Sequence, residues 1–206
     1  TQDVNAEYIV DYAKALAEDC MISGTYEKSN LYITKNINNE ETFYPCVAAH
    51  MDQVASNGIL NKILLIDDCY IGWDSNSHSQ KGLGADDKNG IWCALNLLKK
   101  FNKIKVAFFV SEETGCIGSG NCDMDFFKDI RYVLQADRRG SSDLIYKAGG
   151  TQMASEEFKT EVNDEIISHN SDTTADHSLQ GNLNRFIEII SDYNTGLGFS
   201  FTKHES

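Results

Sequence analysis

Glu112 and Glu113 stand side by side at the end of an apolar run (VAFFV, residues 106–110), with Gly115 close behind. Two more apolar runs end in similar residues: YPCVAA (44–49) leads to His50 and Asp52, and YVLQA (132–136) leads to Asp137. Asp86 and Asp87 close the stretch GLGADD, just ahead of a helix-like pattern. In open α/β sheets, ligands bind beyond the carboxyl ends of the strands. One sheet edge is therefore expected to collect a histidine and several carboxylates. Such a cluster repels itself unless some acid pKa values rise or cations sit among the acids. Mixed His, Asp and Glu donors suit zinc or another first-row divalent ion. The donors outnumber what one tetrahedral zinc takes, and they suit two ions about 3.5–4 Å apart that share a bridging carboxylate and a water.

Each feature alone has an ordinary explanation. A histidine near an aspartate arises by chance, adjacent glutamates commonly form a solvated turn, and an Asp pair before a helix is an N-cap arrangement. Asp137 beside Arg138 and Arg139 could form a surface ion pair. What argues for a shared centre is that all four groups fall at strand ends or a helix start.

The elements that must position these residues follow from periodicity. Residues 5–19 recur at three and four and are expected to be helical, as are residues 88–101 (KNGIWCALNLLKKF). In the second helix Asp86 and Asp87 precede the first turn and Lys99 and Lys100 close the last, both favourable to the helix dipole. Strands are expected at 31–35, 44–49, 63–66, 105–110, 132–136 and 186–190, a turn at 36–42, and a helix at 151–162. Pro45, the only proline, suits the beginning of its strand better than the middle. Residues 69–82 are polar and rich in glycine and serine, and read as a loop. Alternating strands and helices indicate an α/β fold: a three-layer sandwich with a mixed, mostly parallel sheet and helices on both faces. Residues 1–206 are expected to form a single domain, with no clear period in residues 163–182.

Bulk properties narrow the function. Hydrophobic residues make up 41% of the 206, enough for a core. A formal net charge of -13 argues against nucleic acid or an anionic membrane as the main partner, and leaves room for bound cations. No apolar run is long enough to span a bilayer. The six cysteines form no CxxC pair and mostly border apolar runs, which favours a reducing, cytoplasmic setting. The chain begins at Thr1 without a methionine, so a trimmed leader is compatible with it.

His50-Met51-Asp52, Gly84-Ala85-Asp86-Asp87-Lys88, Glu112-Glu113-x-Gly115 and Asp137 occur in the order used by the co-catalytic di-zinc exopeptidases. The chain most resembles the family of tripeptide aminopeptidase (peptidase T), carboxypeptidase G and acetylornithine deacetylase, over residues 44 to 140. That resemblance implies two divalent ions, zinc first. It implies that His50 and Asp137 bind one ion, Glu113 the other, and that Asp86 bridges them. Asp52 would hydrogen-bond the far nitrogen of His50 and fix its tautomer. Glu112 would be the general base, taking a proton from the metal-bridging water and passing it to the departing amine. The family also uses a fifth ligand, a histidine near the carboxyl terminus. Here His204 in TKHE is the first choice, His177 the second and His169 a weaker one, and the absence of any such histidine stays open. Residues 140–150 are short where many members insert a lid or dimerisation domain, and the chain stops at Ser206 where relatives continue into another strand. The implied activity is a zinc exopeptidase or amidase acting on short peptides or N-acyl amino acids. The alternative is an impaired relative serving as a binding or assembly module. A hydrolase of phosphate esters fits less well, because no Gly-rich phosphate cradle is present.

Overall fold

The apolar runs expected to be buried strands form the centre of one sheet. In the computed structural model of the protein, the described residues are 2–15, 20–23, 29–35, 43–54, 62–137, 147–148, 151–152, 155–156, 183–184, 186–187 and 189–191. In chain order their elements are α1 (Gln2–Ala15), β1 (Cys20–Ser23), β2 (Leu31–Lys35), β3 (Tyr44–His50), β4 (Lys62–Ile66), β5 (Cys69–Asp74), β6 (Ser79–Lys81), α2 (Ala85–Lys100), β7 (Ile104–Phe109), α3 (Ile117–Gly120), β8 (Ile130–Gln135), β9 (Lys147–Ala148) and β10 (Thr151–Gln152). The main sheet has the order β1-β2-β7-β3-β8. β3 lies inside it and is buried along its whole length. Pro45 sits at the second position of β3, where the register with β8 shifts.

The sheet is mixed, but it is not mostly parallel. β3 runs parallel to β7 and β8, whereas β1–β2 and β2–β7 are antiparallel. The link between β1 and β2 is too short for a parallel crossover, which needs about a dozen residues or more, so β2 must reverse on β1. The expectation of helices on both faces is also corrected among the described residues. Ala6, Ile9 and Ala13 of α1 and Ile91, Ala94, Leu95 and Leu98 of α2 share one core with Ile33, Val47, Val106 and Phe108 of the sheet. The opposite face carries a smaller cluster of Tyr32, Cys46 and Ala107 packed on Phe109, Phe126, Phe127 and Ile130. There the segment before β8 does the covering. Lys105 pins it down by donating to the Phe126 carbonyl (2.8 Å) and to the Asp129 carboxylate, with its ammonium over the Tyr44 and Phe126 rings.

Three local expectations fail for identifiable reasons. Residues 69–82 are not a loop; they contain β5 and β6, which form a second, antiparallel sheet with β4. β4 and β5 meet at a two-residue turn in which Asp67 (φ 46°) and Asp68 (φ 62°) are both left-handed. That geometry matches the twist of a hairpin and is more often filled by Asn-Gly. β5 is only partly buried and β6 is short and polar, so neither shows the continuous apolar run by which the buried strands are found. Residues 186–190 are not a strand: Phe186, Ile187, Ile189 and Ile190 are helical. Leu183, Phe186 and Ile190 recur at three and four and enter the helix-side core. A short apolar run such as FIEII has no period of its own to separate helix from strand. In the segment read as a helix over 151–162, Thr151 and Gln152 instead pair with Ala148 and Lys147. Residues 157–162 lie outside the described ones.

Candidate metal centre

Parallel pairing brings the carboxyl ends of β7, β3 and β8 to one edge. His50 is the last residue of β3 and pairs with Phe109 of β7. The backbone N–H of Met51 donates to the Phe109 carbonyl (2.8 Å), and Asn5 of α1 donates to the Met51 carbonyl (2.8 Å), so the chain leaving β3 is held from two sides. Asp137 follows β8 by two residues, and the Gln135 amide donates to it at 3.0 Å. Asp86 and Asp87 enter from the start of α2. They have non-helical dihedrals there, so the regular helix begins at about Lys88, the position the sequence indicates.

The turn after β7 explains how two adjacent glutamates face one place. Neighbours in a strand point to opposite faces. Glu112 and Glu113 have already left the strand: Ser111 (φ 54°) and Cys116 (φ 56°) are left-handed, as is Gly115 (φ 105°). The N–H groups of Gly115 and Cys116 both donate to the Glu112 carbonyl (2.9 and 2.8 Å), which closes the turn. Gly118 then packs against the end of β7, where an added Cβ would lie 2.2 Å from the Val110 carbonyl oxygen.

His50 is the hub, and it is 1% exposed. Its Nε2 lies 2.8 Å from Asp86 Oδ1, 3.6 Å from Asp137 Oδ1 and 3.9 Å from Glu112 Oε2. Two overlapping triads result, His50 with Asp86 and Glu113, and His50 with Glu112 and Asp137, each with its donor atoms within 4.8 Å of one another. The fold thus gathers His50, Asp86, Glu112, Glu113 and Asp137 at one edge, with Asp52 just behind. His204, His177, His169, Arg138 and Arg139 lie outside the described residues.

Asp52 differs in its contacts from what the resemblance implies. The nearest partner of His50 Nδ1 is the Asp52 backbone carbonyl at 3.0 Å, with the carboxylate at 3.5 Å. The two carboxylate oxygens instead accept the backbone N–H groups of Glu112 (3.0 Å) and Glu113 (3.1 Å), one each. Asp52 therefore clamps the glutamate turn to the chain leaving β3. In Asp52→Asn one oxygen still accepts, but the amide nitrogen faces the other N–H. A loss of about 1–3 kcal/mol in stability is expected, the cost of a buried donor left unpaired. Denaturant unfolding beside the wild type checks it.

Asp87 also joins the centre, one of the two roles its place before the helix allows, the other being a helix cap. Its carboxylate takes the Gly90 N–H (2.9 Å) as a cap would, and also approaches the His50 N–H (3.4 Å). It is almost wholly buried, and burial, reinforced by the charge of Asp137, raises its pKa to about 8. Sequence reasoning does not single out Gln135, and nothing local in YVLQAD marks it as a partner of Asp137.

The charges of the site fit a cation. Burial lowers the His50 pKa, but the facing carboxylates of Asp137 (3.6 Å) and Asp86 (2.8 Å) outweigh it and bring the value up to about 10. The neighbouring His50 holds the Asp137 carboxyl below its usual range. Glu113 is raised by burial and by the charge of Asp86. A proton on His50 is thus the positive charge around which the carboxylates gather. An imidazole and several carboxylates meeting within 4.8 Å are the donor types that hold zinc and similar ions. A metal takes neutral imidazole, so loading the site must release that proton. His50 is protonated below about pH 10 in the metal-free protein, so affinity is expected to rise with pH and to fall on acidification. Titration calorimetry with zinc, in buffers of different ionisation enthalpy, should show net proton release.

No family model matches the chain, and no curated protein matches it. Solved structures do. Aminoacylhistidine dipeptidase from Vibrio alginolyticus superposes with a TM-score of 0.52 at 20% identity, covering 68% of this chain and 29% of the dipeptidase. LapA from Legionella pneumophila gives 0.50 at 15% identity, covering 90% of this chain and 53% of LapA. Aminopeptidase PepT from Bacillus cereus gives 0.49 at 23% identity, covering 65% of this chain and 37% of PepT. The chain therefore spans about a third to a half of the length of these proteins. At such identities the likeness is one of fold: the chain is similar in structure to aminoacylhistidine dipeptidase and LapA.

Proposed function

We propose that this chain is the catalytic part of a metal-dependent hydrolase, a zinc exopeptidase or amidase that cleaves short peptides or N-acyl amino acids. The observation that carries this reading is the convergence of His50, Asp86, Glu112, Glu113 and Asp137 on one edge of the sheet, their donor atoms within 4.8 Å in two triads that share His50. The peptidase fold of the structural neighbours supports it.

In this reading His50 and Asp137 would hold one divalent ion and Glu113 the other, with Asp86 serving both. A bound pair supplies Lewis acidity, which polarises a scissile carbonyl and lowers the pKa of water towards neutrality. The remaining steps belong to the chain. Glu112 accepts the proton of the attacking water at its carboxylate and returns it to the departing amine. Asp52 holds the Glu112–Glu113 turn by its backbone, so that base and ligand keep their relative positions. Asp87 and Gln135 brace His50 and Asp137. A cytoplasmic setting suits the six free thiols.

The test is metal content together with activity. Protein as isolated should carry up to two zinc or similar ions, and chelation should abolish hydrolysis of a panel of dipeptides and acyl amino acids, with recovery on adding zinc back. Turnover that survives complete metal removal would end this reading.

A further inference from the structure

The thiol of Cys116 has no part in the chemistry proposed above, yet Cys116 touches Glu112 at both ends. Its backbone N–H donates to the Glu112 carbonyl (2.8 Å), and its thiol donates to Glu112 Oε1 (3.4 Å). The position is an unusual one for a cysteine. At φ 56° it is left-handed, a conformation that favours glycine, asparagine and aspartate. It stands at the N-cap of α3, where a side-chain oxygen commonly caps the helix, but its side chain makes no capping bond. The side chain is exposed, so it fills no core. Backbone preference, capping and packing therefore leave the thiol unexplained, and its contact with the Glu112 carboxylate does not.

Glu112 needs such a contact. Asp52 fixes the turn through the backbone N–H groups of Glu112 and Glu113, which leaves the Glu112 side chain free to rotate. That side chain is long and 30% exposed, so packing does not fix it either. The thiol takes Oε1, and Oε2 is left facing the centre, 3.9 Å from His50 Nε2. An S–H group is a weak donor. It orients a carboxylate without stabilising the charged form as strongly as an ammonium or guanidinium would, and so costs little basicity. We propose that Cys116 is a positioning residue, whose thiol holds Glu112 Oε1 so that Oε2 stays turned towards the metal centre for proton transfer. This inference rests on the proposed function, in which Glu112 is the general base.

The test has one arm without turnover and one with it. In the full chain, the infrared S–H stretching band of Cys116 is isolated by subtracting the spectrum of Cys116→Ala. It should move to higher frequency when Glu112→Ala removes the acceptor. In the kinetic arm, Cys116→Ala should lower kcat about threefold to tenfold, the worth of one hydrogen bond, with KM and metal content unchanged. The same change made in Glu112→Gln should cost nothing further, because no base is left to orient. Alanine removes only an exposed thiol, and circular dichroism verifies that the variants fold. A Cys116 band that does not move overturns the proposal. So does a folded Cys116→Ala variant with the kcat of wild type, or an equal loss in both backgrounds, which is what a merely structural role would give. A wild type without any turnover overturns the proposed function instead, and the band then decides whether Cys116 holds Glu112.

Discussion

Glu112→Gln is expected to lower hydrolysis by about a hundredfold to ten-thousandfold, the usual worth of a positioned general base, while leaving the metal content unchanged. Glutamine keeps the size of the side chain and the backbone N–H that Asp52 accepts at 3.0 Å, so the turn should hold its shape. It loses the negative charge and with it the capacity to take a proton. The carboxylate lies beside the hub of the site: Oε2 is 3.9 Å from His50 Nε2, and Oε1 accepts the Cys116 thiol at 3.4 Å. The two readouts separate two roles. Glu112 also belongs to the triad with His50 and Asp137, so it could bind an ion instead. A variant that loses activity and keeps its metal identifies a base. A variant that loses both identifies a ligand, and one that keeps full activity removes Glu112 from the chemistry.

His50→Ala should have the broadest effect, because both triads use His50. Without the imidazole, each loses its nitrogen donor and the carboxylates lose the proton that offsets their repulsion. Metal affinity is expected to fall by more than the ~10–100-fold that loss of an outer hydrogen-bond partner costs, and hydrolysis should drop to background. Elemental analysis after dialysis gives ions per chain, and unfolding curves show whether the protein still folds. Full metal content in a folded His50→Ala variant would mean that the binding residues lie elsewhere.

Much of the scaffold is legible in the sequence because its signals are local. The strands at Leu31–Lys35, Tyr44–His50, Ile104–Phe109 and Ile130–Gln135 are apolar runs of strand length, and α2 shows its face through Ile91, Leu95 and Leu98. The residues that meet at the sheet edge, His50, Asp86, Glu112, Glu113 and Asp137, are legible for the same reason. Each stands just past the end of such a run or at a helix start, and parallel strands bring those ends to one edge. The small sheet is less so: β5 (CYIGWD) is only partly buried and carries a glycine, and β6 (SQK) is short and polar, so neither forms a continuous apolar run. The helical Phe186 and Ile190 sit in a short, mostly apolar stretch whose period appears only once one face is packed.

The sequence by itself determined which donors this protein owns and which segments deliver them, since residue type and periodicity are properties of the chain taken a few residues at a time. Only the tertiary structure decided how they are used. It set β2 antiparallel beside β7, engaged the Asp52 carboxylate with the backbone of Glu112 and Glu113 about sixty residues away, and buried Asp87 against His50. Those outcomes depend on which distant segments compete to satisfy each hydrogen-bonding group once water is excluded, and that competition exists only in the assembled fold.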